Sequence, residues 1–170
     1  MRARRIDEET IEISGIGFLE GAILWRLSAA ADPRGSRAAE ERLASRPTGG
    51  AEPGRDDEWK EYVLPELQTL FASAVEIVRV DLVGSWLSPG TDASVRVPVH
   101  HVEAWLIALN QARLALAARH GLTEKTMTAR PPDNLDPETL ARLFVDFFGG
   151  LQQLLLEAAD GATSSDSSTP

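Results

Sequence analysis

A chain of 170 residues with a net charge of −9, a pI near 4.8 and no cysteine fits one domain and excludes disulfides, zinc–thiolate sites and thiol nucleophiles. The acidic balance argues against a general nucleic-acid binder, which needs a basic surface to neutralise phosphate. Hydrophobic residues make up 43%, and four Trp and five Phe supply bulk for a core.

The amino-terminal arm, Met1 to Arg5, is the one locally basic stretch. Asp7, Glu8, Glu9 and Glu12 follow it where a secretory leader would place an apolar run, so no leader is expected. No segment reads as transmembrane, and the lack of cysteine suits a cytoplasmic protein. Residues 10–14, TIEIS, alternate Ile11 and Ile13 with polar neighbours, the pattern of a half-buried strand. Gly15 and Gly17 end it. Phe18 to Ala30 reads as a helix, apolar at Phe18, Leu19, Ala22, Ile23, Trp25, Leu27 and Ala30.

From Asp32 to Asp56 the composition shifts, with four Gly and three Pro among Arg, Glu, Ala and Ser. This stretch is expected to be a mobile linker or insertion, with a loose helix over Ser36 to Ala44. Asp56, Asp57 and Glu58 then supply a helix start with acid at the positive end of its dipole. The helix runs from Trp59 to about Trp86, and Pro65 predicts a bend or restart near Leu64. Its broad apolar face carries Trp59, Val63, Leu67, Leu70, Phe71, Ala74, Val78, Leu82 and Trp86, and Ser88-Pro89-Gly90 ends it. Residues 93–97, ASVRV, alternate again, and the two strand-like segments are expected to pair as a ribbon on the helices.

Val102 to Ala118 is the central helix. It is rich in Ala and Leu, without Gly or Pro, and carries charge only at Glu103 and Arg113, so it must be covered on most sides. His100 with Glu103 outlines a capping box, and His120-Gly121 closes the helix. After a loop containing Pro131-Pro132, Asp136-Pro137 caps a last amphipathic helix. Its apolar arc is Leu140, Leu143, Phe144, Phe147, Phe148, Leu151, Leu154, Leu155 and Ala158, with Arg142, Asp146, Gln152 and Gln153 outward. Gly149-Gly150 predicts a kink or a close contact. Residues 160–170 lack an apolar anchor and are expected to be disordered.

The fold expected from these elements is mainly α: one domain over 1–170, about four principal helices in a bundle, and a small two-stranded β-ribbon. The run Val102-Glu103-Ala104-Trp105-Leu106-Ile107-Ala108-Leu109-Asn110-Gln111-Ala112-Arg113-Leu114, then Arg119-His120-Gly121-Leu122, then Leu151-Gln152-Gln153 resembles an uncharacterised bacterial family of domains of unknown function. The similarity covers about Glu58 to Ala158. Some members are encoded near the Clp-protease adaptor of the N-degron pathway. The resemblance implies a helical fold and a link to protein turnover, and it implies no catalytic residues.

On a helical wheel, Trp105, Ala108, Leu109, Ala112 and Leu116 share one apolar face of the central helix. Glu103, Asn110, Gln111 and Arg113 lie opposite, interleaved with Leu106, Ile107 and Leu114. Either a second layer of helices covers that side, or Leu106, Ile107 and Leu114 form a homodimer or partner surface. Arg113 among leucines needs a carboxylate or several carbonyls. Asp81, on an otherwise apolar stripe, is the preferred partner over Glu66, Glu76 and Asp146. Arg113, Asn110 and Asp81 are thus the candidate polar core or binding residues.

His100 and His101 diverge by about 100° on a helix and do not converge on a metal. Gly15-Ile16-Gly17 is only a fragment of a dinucleotide fingerprint, and no serine sits in a nucleophile elbow. No cofactor, catalytic residue, nucleic acid or membrane is therefore expected. Two functions stand: a non-enzymatic protein-interaction or regulatory module, and a small-molecule (anion) binder or enzyme with a pocket around Arg113 and Asn110.

Overall fold

The computed structural model describes residues 1–86, 93–128 and 136–161. In chain order, β1 (Arg2–Arg5) and β2 (Thr10–Ser14) form a hairpin. They are followed by α1 (Phe18–Trp25), α2 (Leu27–Ala31), α3 (Arg37–Leu43) and α4 (Pro53–Glu58). A π-helical turn, Trp59–Val63, leads into α5 (Leu64–Trp86). Then come β3 (Val95–Pro98), a 3-10 turn (Val99–His101), α6 (Val102–Arg119), α7 (Glu124–Thr128) and α8 (Pro137–Asp160). The expected turn at Ser88-Pro89-Gly90, the Pro131-Pro132 loop and residues 162–170 lie outside the described residues. No described helix is long and apolar enough to cross a membrane.

The central helix is α6. Helices α2, α3, α5 and α8 all pack against it. Its expected apolar face is buried throughout, with Trp105, Ala108, Leu109 and Ala112 fully so. Each large side chain sealed there stabilises the fold by about 1.5–3 kcal/mol. The two strands expected to pair do so as β2 and β3, antiparallel, with Ile11 opposite Val97 and Ile13 opposite Val95. All four side chains are buried against the helices.

The ribbon is three-stranded, not two. The basic arm is itself a strand, pairing Ala3 with Ile13 and Arg5 with Ile11 in the order β1-β2-β3. Only Ala3 marks it as half-buried in sequence. Arg5 also turns inward, and its guanidinium donates to the carbonyls of Asp7 and Glu8 in the hairpin turn. A charge thereby occupies a half-buried strand position with its guanidinium bonded to two backbone carbonyls.

The stretch 32–56, expected to be a linker or insertion, carries α3 and α4. Ser36 caps α3 through its hydroxyl to the Ala39 amide. Asp56 is buried where α4 begins. It accepts from the Thr48 amide (3.2 Å), the Thr48 hydroxyl (2.8 Å) and the Gly50 amide (2.8 Å). Burial alone would push this carboxyl up, but those donors and nearby Arg46 hold it below its ordinary value. A depressed carboxyl contributes stability above its unfolded value of about 4 and loses it as pH falls through the folded value. Amide exchange over residues 48–52 should therefore quicken sharply as pH is lowered through and below 4, after correction for intrinsic rates. Asp56→Ala should show the same fast exchange at pH 7. Equal protection of wild type and variant would contradict this role.

The restart expected near Leu64 takes the form of the π turn, which ends at Val63 so that α5 begins at Leu64 with Pro65 in its first turn. Of its expected face, Ala74, Val78 and Leu82 are buried, whereas Val63 and Leu70 are exposed. Only the carboxyl-terminal half of α5 reaches the core. Helix α6 starts from the 3-10 turn at His101, without the capping box expected at His100. In α8 the buried stripe is Ala141, Val145, Phe148, Leu151 and Leu155, and Leu140 and Leu143 lie on its exposed margin.

Candidate functional site

Four features carry polar or interaction chemistry. The first centres on Asp81, on the inner side of α5. Its carboxylate accepts the indole N–H of Trp105 at 2.9 Å and faces His101 Nδ1 at 3.0 Å. The expected Asp81–Arg113 pair is not formed. Asp81 is satisfied from the start of α6, one turn apart at His101 and Trp105, because an indole buried this deeply needs an acceptor for its N–H.

The second centres on Arg113, further along α6 and facing α8. Its Nη1 donates to Gln152 Oε1 at 2.6 Å, and Gln152 Nε2 donates to the Leu106 carbonyl at 3.1 Å. Gln152, expected outward, turns inward to bridge the two helices. Arg113 Nε is buried without an acceptor, and no carboxylate among the described residues lies within ion-pair reach. The guanidinium lies against α8 at Gly149, where a Cβ would stand 3.4 Å from Arg113 Cζ, at the near edge of van der Waals contact. Of the residues proposed with Arg113, Asn110 is exposed, and Leu106, Ile107 and Leu114 are half-buried. Leu106 and Ile107 pack on the core of their own chain.

The third is the outward face of α1. Its inner side buries Gly21, Ile23 and Leu24, while Phe18 is 96%, Leu19 56% and Trp25 61% exposed. Trp25 does not cover α6, although its spacing would allow it. Helix α1 is apolar on both sides, yet only one side meets the core and the other meets solvent.

The fourth is a cleft of about 940 Å³ between α2, α3 and the first half of α5. Leu43, Leu64, Phe71, Ala72 and Val75 form its apolar walls. Gln111, only 7% exposed, is among its lining residues; its Nε2 donates to the Ala31 carbonyl at 3.0 Å, and its Oε1 is sealed from solvent with no hydrogen-bond partner among the described residues. At the mouth, Arg34 pairs with Asp32 and Arg79 with Glu76, each at 2.7 Å. Those arginines hold both carboxyls below their usual range. Neither Arg113 nor Asn110 lines this cleft. Gln111 escapes a reading from sequence because the wheel places it on the polar side. Helix α2, too short to show a period, covers that side.

No curated protein and no solved structure matches the chain. Residues 8–159 match the family model described as a domain of unknown function, DUF2017, and the chain belongs to that family.

Proposed function

We propose that the chain is a non-enzymatic protein-interaction module of the cytoplasm, linked to protein turnover, that presents α1 to an apolar groove on a partner protein. The observation that carries this reading is Phe18, almost wholly in solvent on an ordered helix, with Leu19 and Trp25 beside it. Phe18, Ala22 and Trp25 stand at i, i+4 and i+7. That is the anchor spacing of a helix that docks in a groove. Aromatic side chains dominate the energetics of such contacts. The turnover link rests on the family resemblance and gives the partner class to try first. The half-buried Leu106, Ile107 and Leu114 do not recommend a homodimer through α6, because intramolecular helices surround it.

The test uses Phe18→Asp and Trp25→Asp, singly and together. Both positions are exposed, so stability should change by no more than about 0.5 kcal/mol. Partners crosslinked to the wild-type chain in cells should be lost from the double variant, with its melting temperature unchanged. Retention of the same partners would overturn the reading. A wild-type dimer in sedimentation that the double variant dissolves would instead assign the face to a second copy.

A further inference from the structure

We infer that the outer side of α5 is a seam through which two copies of this chain pair, their α5 helices antiparallel about a two-fold axis near Ser73. This inference is independent of the α1 face. Val63, at the end of the π turn, and Leu70 and Ile77 in α5 recur every seven residues, and Val80 follows within one turn. Val63 is exposed, Leu70 is 49% and Val80 53% exposed, and Ile77 is half-buried outside the core. The same helix sends Ala74, Val78 and Leu82 into the core. It turns Leu64, Phe71, Ala72 and Val75 to the cleft, which none of the four seam residues lines. The seam is therefore a face of its own, about 25 Å long at 1.5 Å per residue. An apolar repeat of seven keeps one side of a helix against another helix. A helix owes most of its stability to such packing, and the core supports only the carboxyl-terminal half of α5.

Charge and shape name the occupant. Copies of a chain with a net charge of −9 repel one another, so they can meet only where carboxylates are few. Between Val63 and Val80 this side carries one, Glu66. Glu76 lies beside the cleft, held by Arg79. A seam so poor in charge offers no complement to a partner of opposite sign, whereas it suits a second apolar seam. Two-fold pairing is the commonest closed assembly and brings the same patch from both copies together. An axis near Ser73 sets Leu70 of each copy beside Ile77 of the other, and Val63 beside Gly84. Both small residues favour the approach. Ser73 lies where the helices cross, and even a Cβ added at Gly84 would meet nothing within 4 Å, so that end of the seam is open.

The chain has no cysteine, so a single introduced one reports the pairing. Under mild oxidation Ser73→Cys should give a disulfide-linked dimer. Lys60→Cys should not, because antiparallel helices hold the two copies of residue 60 roughly 40 Å apart, far beyond disulfide reach. Sedimentation of the full chain should show a reversible dimer. Leu70→Glu should weaken it about a hundredfold, by placing an unpaired charge in the seam. Glu66→Leu, which removes the one carboxylate there, should tighten it. Phe18→Asp with Trp25→Asp should leave it unchanged, which separates this seam from the α1 face. If Leu70→Glu does not fold, the cysteine pair still decides. A wild-type monomer at millimolar concentration, a dimer indifferent to Leu70→Glu, or crosslinking at residue 60 as ready as at residue 73 would each overturn the proposal.

Discussion

Trp105→Ala should be among the most damaging single changes in the chain, lowering stability by about 3–5 kcal/mol. Two losses combine. The indole is fully buried at the meeting of α6, α5 and the sheet, so its removal opens a large cavity. Its N–H is also a donor to Asp81, at 2.9 Å, and that carboxylate would keep only His101. Against a total stability of about 5–15 kcal/mol, the loss should lower the melting temperature by roughly 6–20 °C. Trp105→Phe separates the two effects. It keeps most of the packing and strands Asp81, so about 1–3 kcal/mol is expected. A phenylalanine variant as stable as wild type would show that the hydrogen bond contributes nothing.

Gln152→Ala should cost about 1.5–3 kcal/mol, the value of a hydrogen bond to a charged donor, although Gln152 is only half-buried. It removes the acceptor of Arg113 Nη1 and the bond to the Leu106 carbonyl. Arg113→Met should cost less, because it removes the desolvated charge and leaves an unbranched stem over Gly149. The double variant should therefore cost less than the sum, with a coupling of about 0.5–3 kcal/mol in a double-mutant cycle. The matching cycle between Arg113 and Asp81 should be additive within about 0.5 kcal/mol. Additivity at Arg113–Gln152 with coupling at Arg113–Asp81 would reverse the assignment of partners.

Elements with strong periodicity are legible in the sequence itself. The α6 face through Trp105, Ala108 and Ala112, the alternation of Ile11 with Ile13, and the cap at Asp136 all correspond to what is observed. In each case local pattern and tertiary packing favour the same conformation. Contacts between elements are what sequence pattern leaves hidden. Arg113 visibly needs a partner, but helical spacing says nothing about which neighbouring helix faces it, and a glutamine outward on the α8 wheel supplies the acceptor. Gln111 is hidden in the same way, since its cover is a five-residue helix. Strand β1 fails the alternation test because arginine counts as polar wherever it points. Phe18 and Trp25 count as core because an apolar pattern cannot distinguish a covered face from an exposed one.

The strand order also has a consequence during synthesis. The hairpin β1-β2 leaves the ribosome before β3, which follows roughly 80 residues later. At about 5–20 residues per second, Ile11 and Ile13 wait several seconds before Val95 and Val97 can pair beside them. Throughout that interval β2 is a nascent strand with one bare hydrogen-bonding edge and an uncovered apolar face. Completion of the sheet thus waits on the middle of the chain.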